Sequence, residues 1–280
     1  MGRKRRKPST DKWDVLEKAK RCIPPVETIL DNAWSALSLD EEFIRHYFGE
    51  ALRQIDERAM EIYLKHERRA MKFAAQEWLE QRRKRLQREW DHLSALLQED
   101  RWEAFKRKVV PMFMDFARLF QRLEKALGNM RKARAGSTFE RAIEKLLREI
   151  CIRCGRPKKK KDQKELERFD LVVPDVETAC NTPDRAIFLE LKRTLGERWK
   201  QKVAVDPKRS KRCWLLTIDH KLGDEKVKGI YERICNKDLG AFFVPEDVAN
   251  KLRQKGETWV RSLNELPEAL REALGGEMRC

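Results

Sequence analysis

Three charged residues stand at the ends of two apolar runs in the second half of the chain. Asp170 opens the first run, DLVVP, and a Glu-x-Lys formed by Glu190 and Lys192 closes the second, AIFLELK. Strand side chains alternate between the two faces of a sheet, so Glu190 and Lys192 share one face. If the runs pair as a β-hairpin with its loop near Cys180, Asp170 lies opposite Glu190. The pattern predicts two carboxylates and an ammonium group that converge at the open end of a hairpin.

Such charges are costly in a buried sheet unless they have a chemical task. Hydrolysis of a phosphodiester bond needs an activated water, a polarised phosphorus and a stabilised leaving oxygen, and Mg²⁺ held by carboxylates supplies much of this. We therefore expect Asp170 and Glu190 to hold Mg²⁺. Lys192 would orient or deprotonate the water and offset charge on the phosphate, because its compact cation lies on a flexible stem. Asp175, in the pair Pro174-Asp175, falls at the loop end of the hairpin, where a turn role is expected.

A glutamate on the preceding helix is the candidate for an auxiliary acidic role. The segment AGSTFERAIEKLL predicts a helix over about 137–148 that Ser137 or Thr138 caps. Phe139 belongs to the buried face of this helix. Glu140 adjoins that face and could point toward the carboxylates, and the alternative is a glutamate that faces solvent.

The residues directly after Lys192 are polar and mostly basic, in the sequence RTLGERWKQ. A helix predicted over about 195–204 would begin at the exit of the catalytic strand, beside a bound phosphate. Arginine can pair bidentately with guanine and glutamate can accept from cytosine, so Arg198 and Glu197 could read a G·C pair. The alternative is that these two side chains only brace each other or the backbone. The candidate DNA-binding residues are Arg193, Thr194, Glu197, Arg198, Lys200 and Gln201.

Strands alternate with helices in the second half, which predicts an α/β fold with a mixed β-sheet flanked by helices. An all-helical first half precedes it. We expect a disordered basic arm over 1–9, a helical domain over 10–130 that dimerises or clamps DNA, and a nuclease domain over 131–280. The predicted strands are 169–174, 186–192, 213–218 and 240–245, and the predicted helices are 224–235, 246–254 and 263–274.

Apolar residues recur at steps of three and four in the first half, which indicates amphipathic helices. One such stripe ends at Gly128, a predicted helix stop. The two clearest stripes are Phe48, Leu52, Ile55, Ala59 and Ile62, and Phe113, Phe116, Phe120, Leu123 and Leu127.

Three tryptophans and two basic runs mark the middle of the helical half. Trp78, Trp90 and Trp102 stand twelve residues apart. That spacing is a little over three helical turns, which favours core packing over base stacking. The basic runs at 82–88 and 106–108 are expected to be solvated helix faces, with contact to phosphate groups as the alternative.

A CxxCG formed by Cys151 and Cys154 could be half of a zinc ribbon. A second pair with matching spacing is missing from the sequence. We therefore expect the end of a helix with small buried thiols, and a structural zinc ion is the alternative.

The charge of the chain favours a polyanionic partner. Lys and Arg number 63 against 47 Asp and Glu, a formal net charge of +16. Nucleic acid or an anionic membrane surface would match that excess. No apolar run is long enough to span a bilayer, and the basic N-terminus lacks the apolar core of a signal peptide. We therefore expect an intracellular protein of the prokaryotic cytoplasm with no membrane partner.

Taken together, these features resemble type II restriction endonucleases of the PD-(D/E)xK superfamily, and within it the EcoRII-like branch. The resemblance covers the chain from about Arg131 to the C-terminus. It implies a restriction-endonuclease-like core that cleaves double-stranded DNA at a short sequence with Mg²⁺ and no small-molecule cofactor. It rests on RKARAGSTFE, FDLVVP, ELK and RTLGERWKQ, and on the order LLTID, a helix and AFFVPEDV.

By position, the resemblance implies catalytic roles for Asp170, Glu190 and Lys192, with Glu140 as an auxiliary acid. It also implies that the acidic-Arg pair at 197–198 reads G·C. The chain departs from the family pattern in two places: Phe169 stands where the motif name has proline, and Gly196 stands where a basic residue often precedes the acidic-Arg pair.

The sequence therefore predicts a type II restriction endonuclease that cuts a palindromic, G·C-containing site. Cutting both strands of a palindrome requires two-fold symmetry, so a homodimer is expected. A structure-specific nuclease of repair or recombination on the same core is the first alternative. The others are a non-catalytic basic DNA-binding protein and a helical protein of membrane surfaces. The acidic pair argues against a binding protein, because carboxylates repel a phosphate unless a metal lies between them.

Overall fold

Long helices fill the first half of the chain and a sheet with covering helices fills the second, in a computed structural model of the protein. The structure describes residues 10–157, 166–196 and 210–275. Its α-helices are α1 (Thr10–Arg21), α2 (Val26–Leu37), α3 (Glu41–His46), α4 (Phe48–Gln98), α5 (Trp102–Glu149), α6 (Val176–Asn181), α7 (Asp224–Cys235), α8 (Glu246–Gln254) and α9 (Leu266–Ala273). Its strands are β1 (Leu171–Val173), β2 (Ile187–Leu191), β3 (Cys213–Leu216), β4 (Ala241–Val244) and β5 (Arg261–Ser262). Short 3₁₀ turns lie at Pro183–Arg185, Ser210–Arg212 and Leu263–Glu265.

The chain forms two compact units. The first comprises Met1–Ile29 and Met60–Arg134, and the second comprises Leu30–Ala59 and Ala135–Cys280. Residues 30–59, which were expected to belong to the helical domain, thus pack with the sheet. The division into domains at residue 130 stays a prediction. The expected arm at 1–9, most of the Lys-rich stretch 156–165 and most of the helix expected at 195–204 lie outside the described residues.

The first unit is built on an antiparallel helical hairpin formed by α4 and α5. A three-residue turn joins the helices. They are antiparallel, because later residues of α4 contact earlier residues of α5. The guanidinium of Arg131 lies 3.1 Å from Glu67, and Arg82 pairs with Asp115 nearer the turn. The Tyr63 hydroxyl donates to the Leu127 carbonyl at 3.3 Å. These polar contacts help to fix the register of the two helices.

Helix α5 continues through both of its predicted boundaries. Gly128 lies inside it rather than at a helix stop, and Ser137 and Thr138 are interior residues rather than caps. A helical glycine costs only about 1 kcal/mol relative to alanine. Burial on both sides of Gly128 outweighs that cost, since Leu127 and Phe139 are fully buried.

The expectation of core packing is wrong for two of the three tryptophans. Trp78 is buried, but Trp90 is 68% exposed and Trp102 is 52% exposed. Phe113, expected in a buried stripe, is also 68% exposed. In a pair of helices, each helix can cover only one side of the other. The basic run at 82–88 is largely exposed, as expected.

The second unit contains a mixed five-stranded sheet in the order β1-β2-β3-β4-β5. Strand β1 is antiparallel to β2, and the other neighbours are parallel. This confirms the predicted fold class, and β1 to β4 lie within their predicted ranges. The two-residue strand β5 was missed because it is too short for an alternating pattern.

Both faces of the sheet are covered, as predicted. Within this unit, α2, α3, the first turns of α4, the last turns of α5 and α9 pack on one face, and α6, α7 and α8 pack on the other. The buried side chains alternate accordingly along β2, where Leu189 and Leu191 belong to the first layer and Phe188 belongs to the second. Glu190 therefore points to the face of Phe188, where it is fully buried.

Candidate active site

The predicted hairpin forms with the predicted register. Leu171 pairs with Leu189 and Val173 with Ile187, so that the next position along brings Asp170 opposite Glu190. The Asp170 amide donates to the Leu189 carbonyl at 3.0 Å, which extends the pairing to this position. The connection between the strands contains α6 and a 3₁₀ turn, and so it is longer and more ordered than a simple loop.

Lys192 lies between the two carboxylates. Its Nζ is 2.9 Å from Asp170 Oδ2 and 3.0 Å from Glu190 Oε2. The side chains of Lys192 and Asp170 are each 22% exposed, whereas Glu190 is fully buried. The three predicted catalytic side chains therefore form one contiguous cluster that is open to solvent on the side of Asp170 and Lys192.

Main-chain hydrogen bonds hold this cluster in place. The Leu191 amide donates to Asp170 Oδ2 at 2.7 Å, so the Asp170 carboxylate receives both a main-chain and a side-chain donor. The Lys192 amide donates to the Leu216 carbonyl at 3.0 Å, which continues the pairing of β2 with β3. A site built on paired strands is more rigid than one built on a loop.

The electrostatics of the cluster keep Lys192 charged. Burial alone lowers the pKa of Lys192, but the carboxylates of Glu190 and Asp170 raise it by more, and the net pKa lies above that of ordinary lysine. In this arrangement Lys192 is an ammonium donor. It can hold a water or a phosphate oxygen by hydrogen bonds.

The donor set fits a hard divalent cation. Oxygen atoms of Asp170 and Glu190 already converge on one cationic atom, Lys192 Nζ, within 3.0 Å. Within the ranges that the structure describes, no group of three or more His, Cys, Asp and Glu side chains forms a metal site. Mg²⁺ is commonly bound through one or two carboxylates, with waters and substrate phosphate completing the shell, so two carboxylates suffice.

Glu140 lies close enough to the cluster for the charge of Asp170 to affect its pKa. Burial raises the pKa of Glu140, the charge of Asp170 raises it further, and Arg156 opposes the rise without cancelling it. Arg156 donates to Glu140 at 3.0 Å and to Glu144 at 2.6 Å. The half-buried position of Glu140 favours the expectation that it points toward the carboxylates over the alternative of a solvent-facing side chain.

Arg193, a predicted DNA-binding residue, is held by an acidic side chain of α4. Its Nε lies 3.0 Å from Asp56 Oδ1 and its Nη2 lies 2.7 Å from Asp56 Oδ2, in a bidentate pair. The Asp56 side chain is 9% exposed and the Arg193 side chain is 32% exposed. Hydrogen bonding to Asp56 raises the pKa of Arg193. The pair ties the residue after Lys192 to a helix 137 positions earlier in the chain.

The segment after Arg193 is held by two polar side chains that follow β3. The Thr217 hydroxyl donates to the Arg193 carbonyl at 3.4 Å, and Asp219 Oδ2 accepts from the Leu195 amide at 3.0 Å. Thr194 is exposed between these contacts. The remaining candidate DNA-binding residues, Glu197, Arg198, Lys200 and Gln201, lie outside the described residues.

Two other candidate positions have structural roles. Asp175 caps α6 by accepting from the Thr178 amide at 2.8 Å, and it pairs with Arg153. The turn role expected for Asp175 is thereby confirmed. Cys154 is buried, and burial raises the pKa of its thiol to about 11. This burial agrees with the buried-thiol interpretation of Cys154.

Three polar residues of the site were missed from sequence. Asp56 follows the buried Ile55 on α4, and its 7% exposure is the mark of a paired carboxylate. Asp219 ends the segment LLTID, where the acid directly after an apolar strand was a usable signal. Arg156 begins the Lys-rich sequence RPKKKKDQKE, where nothing distinguishes it from the basic residues that follow.

Comparisons with known proteins show the family and the fold of the chain. Residues 98–266 match the protein family described as "EcoRII C terminal", which is more than half of the chain. No curated protein matches significantly. A structure described as "Metal-depleted Ecl18kI in complex with uncleaved DNA" superimposes with a TM-score of 0.70, at 16% identity over 98% of this chain and 87% of that one. A "Restriction endonuclease PspGI-substrate DNA complex" superimposes with a TM-score of 0.61, at 17% identity over 92% of this chain and 95% of that one.

The family match extends the resemblance seen in the sequence toward the N-terminus, through most of α5. At these identities the solved structures establish the fold alone, whereas the family match establishes that the chain belongs to the family. None of the helices in the described ranges is long and apolar enough to cross a membrane. By the family match, the chain belongs to the EcoRII C-terminal family, in the EcoRII-like branch of the type II restriction endonucleases.

Proposed function

We propose that this restriction endonuclease is a Mg²⁺-dependent homodimer that hydrolyses double-stranded DNA at a short palindromic site containing G·C pairs. We place its activity in the prokaryotic cytoplasm. The observation that carries the proposal is the contact of Lys192 Nζ with Asp170 and Glu190, at 2.9 and 3.0 Å, at the open end of the β1-β2 hairpin. A binding protein would gain nothing from carboxylates there, since they repel phosphate.

Each member of the cluster has a separate task in this proposal. Asp170 and Glu190 would hold Mg²⁺, which supplies Lewis-acid polarisation of the phosphate and offsets charge on the departing oxygen. Lys192 donates hydrogen bonds that orient the attacking water and a phosphate oxygen. The water oxygen adds to phosphorus as the bond to the leaving oxygen breaks, so that one end keeps the phosphate and the other becomes a hydroxyl. Glu140, with its raised pKa, is suited to exchange a proton with solvent nearby.

The DNA-reading part of the proposal rests on position in the chain. Glu197 and Arg198 follow the catalytic strand within a few residues, and we assign to them the readout of a G·C pair. Thr194, Lys200 and Gln201 would contact the backbone or neighbouring bases. The net charge of +16 supports a duplex partner. The solved Ecl18kI and PspGI structures are described as DNA complexes, which is consistent with this assignment.

Digestion of a sequenced plasmid with Mg²⁺, beside an EDTA control, tests the proposed function. We expect discrete fragments whose mapped ends share one short palindromic sequence. Lys192→Ala and Glu190→Gln should each abolish the fragments. Lys228→Ala, an exposed lysine on α7, is the matched control and should cut like the wild type.

The outcomes separate the parts of the proposal. Fragments that persist in EDTA would refute the metal requirement, and fragments that persist in Lys192→Ala would refute the site. A smear that both controls remove would keep the site but move the substrate toward the branched or damaged DNA of repair. Intact DNA with a gel shift at low salt would leave only a binding protein.

A further inference from the structure

The exposed apolar side chains of this protein are concentrated on the helical hairpin. Among the described residues, seven of the nine large hydrophobic side chains with high exposure lie on its two helices, between positions 79 and 114. Isolated exposed apolar residues are ordinary, but a cluster of this kind marks an interaction surface. The seven are Leu79, Trp90, Leu97, Trp102, Val110, Phe113 and Met114.

The largest of these side chains line one side of the hairpin. Trp90 stands three residues before the buried Leu93, and Phe113 stands three residues before Phe116, whose ring contacts Trp78 across the hairpin. Three residues correspond to about 60° around a helix, in the same sense on both helices. In an antiparallel pair, rotation in the same sense leads to the same side. We call this side the hairpin face.

The hairpin face continues along both helices. Leu79 and Leu97 are eleven and seven residues from Trp90, and Trp102 is eleven residues from Phe113. These spacings return to within about 20° of the same direction. The face is thus a stripe of leucine and aromatic side chains several helical turns long, which is the composition of buried contacts between helices.

Charge along the hairpin changes sign near Trp90. Residues 89–103, around the turn, contain five acidic residues and one arginine. The runs 82–88 and 106–108, just behind the turn, contain eight basic residues and no acidic ones. We call residues 89–103 the acidic turn and the runs 82–88 and 106–108 the basic band. Two copies of the hairpin that run in opposite directions can place the acidic turn of each beside the basic band of the other.

We propose that the hairpin face binds the hairpin face of a second copy of this chain, antiparallel and about a two-fold axis near Trp90. The pairing of Arg82 with Asp115 shows which positions of the two helices lie side by side. By this register, Phe113 lies about as far from Trp90 in the direction away from the turn as Trp102 lies in the direction of the turn. The axis therefore brings Phe113 of one copy against Trp102 of the other, within about 10 Å of Trp90 at the 1.5 Å rise of a helix. The same pairing sets each acidic turn along the basic band of the other copy.

A second copy of the chain explains both the charge pattern and the apolar hairpin face. Duplex DNA would match the basic band but would be repelled by the acidic turn and would not cover tryptophan. An anionic membrane would accept the aromatic residues but would also be repelled by the acidic turn. A second copy satisfies both features with one isologous contact.

Sedimentation equilibrium of the full chain tests the proposal. We expect the wild type to have twice the 33.3 kDa mass of the chain. Trp90→Gln and Phe113→Gln should each raise the dissociation constant by at least about 30-fold, as loss of a central aromatic contact does. Tyr231→Gln, which removes an exposed aromatic residue from α7 outside the face, is the matched control and should leave it unchanged. Far-UV circular dichroism verifies that each variant is folded.

Charge reversal provides a second test that does not alter the apolar residues. One chain carries Glu99→Lys, Asp100→Lys and Glu103→Lys in the turn, and another carries Arg83→Glu, Lys84→Glu and Arg85→Glu in the band. Each should be monomeric alone at low salt, because turn and band then have like charge. An equimolar mixture should form heterodimers, since both turn-band contacts again have opposite charge.

The proposal builds on the two-fold dimer of the proposed function. Because mass is measured separately from DNA cleavage, failure of the interface can be distinguished from failure of the proposed function. A wild-type dimer that survives Trp90→Gln and Phe113→Gln would overturn this interface and leave the restriction enzyme intact as a proposal. A monomeric wild type that still cuts DNA would overturn the dimer. A mixture of reversed chains that stays monomeric would overturn the charge pairing.

Discussion

The contact between Asp56 and Arg193 should contribute measurably to the stability of the second unit. Arg193 follows Lys192 directly, and its bidentate pair with Asp56 joins the end of β2 to α4. We consider Asp56→Ala, Arg193→Ala and the double variant, which together form a double-mutant cycle. The cycle isolates the pairwise term from the cost of removing either side chain.

The magnitude follows from burial and geometry. Breaking a buried ion pair by removing one partner costs about 3–5 kcal/mol, whereas exposed pairs contribute about 0–1 kcal/mol. Asp56 is almost fully buried, but nearly a third of Arg193 is exposed, so solvent screens the pair in part. We expect each single variant to lose about 2 kcal/mol and the coupling to be about 1.5 kcal/mol, the low end for hydrogen bonds to charged groups.

Urea unfolding followed by circular dichroism gives the four free energies. The exposed pair of Arg53 with Glu57 is the matched control on the same helix, and its coupling should be below about 0.5 kcal/mol. A coupling for Asp56 and Arg193 as small as that of the control would refute the reasoning, because the contact would then be as weak as a solvated one. Under the proposed function, Asp56→Ala should also slow cleavage more than it weakens DNA binding, since Arg193 adjoins Lys192.

Further predictions concern glycines and a thiol. Gly128→Ala should stabilise the chain by about 0.5–1 kcal/mol, because the residue is inside α5 with open space around it. A melting temperature below that of the wild type would contradict this and would support a helix end at Gly128. Gly240→Ala should destabilise by about 1–3 kcal/mol, because a Cβ there would lie 2.0 Å from the Lys211 carbonyl oxygen; unchanged urea unfolding would contradict that approach. Cys154 should resist alkylation at pH 8 while the exposed Cys180 reacts, because burial raises the Cys154 pKa to about 11 and so lowers its thiolate fraction roughly a hundredfold. Mass spectrometry of the labelled peptides checks this, and equal labelling would show that Cys154 is accessible.

The hairpin was predictable because its signal is local and has a period of two. A shift of one residue would have moved Leu189 and Leu191 out of the first core layer and Glu190 into it, so the apolar pattern fixes the register. Asp170 then falls opposite Glu190 by counting. Helices α7 and α8 were equally predictable, since each has a strong apolar stripe and begins directly after a turn.

The remainder of the site depends on contacts between distant parts of the chain. The pairing of Asp56 with Arg193 spans 137 positions, and no local pattern distinguishes Asp56 from other acidic residues of α4. The exposure of Trp90 was missed for a related reason. Helical periodicity predicts which side of a helix is apolar, but it does not say whether a neighbouring helix or a second copy covers that side.

The charges at the end of β2 are better explained by chemistry than by stability. Glu190 is fully buried beside Phe188 and opposite Leu215 in the sheet, in a layer that apolar side chains otherwise fill. The ammonium of Lys192 offsets that burial at 3.0 Å, but buried ion pairs are often no more stable than apolar residues of similar volume. An apolar pair would therefore serve the fold as well. That the sheet instead holds two acids and a lysine at one solvent-accessible end is what an active site requires.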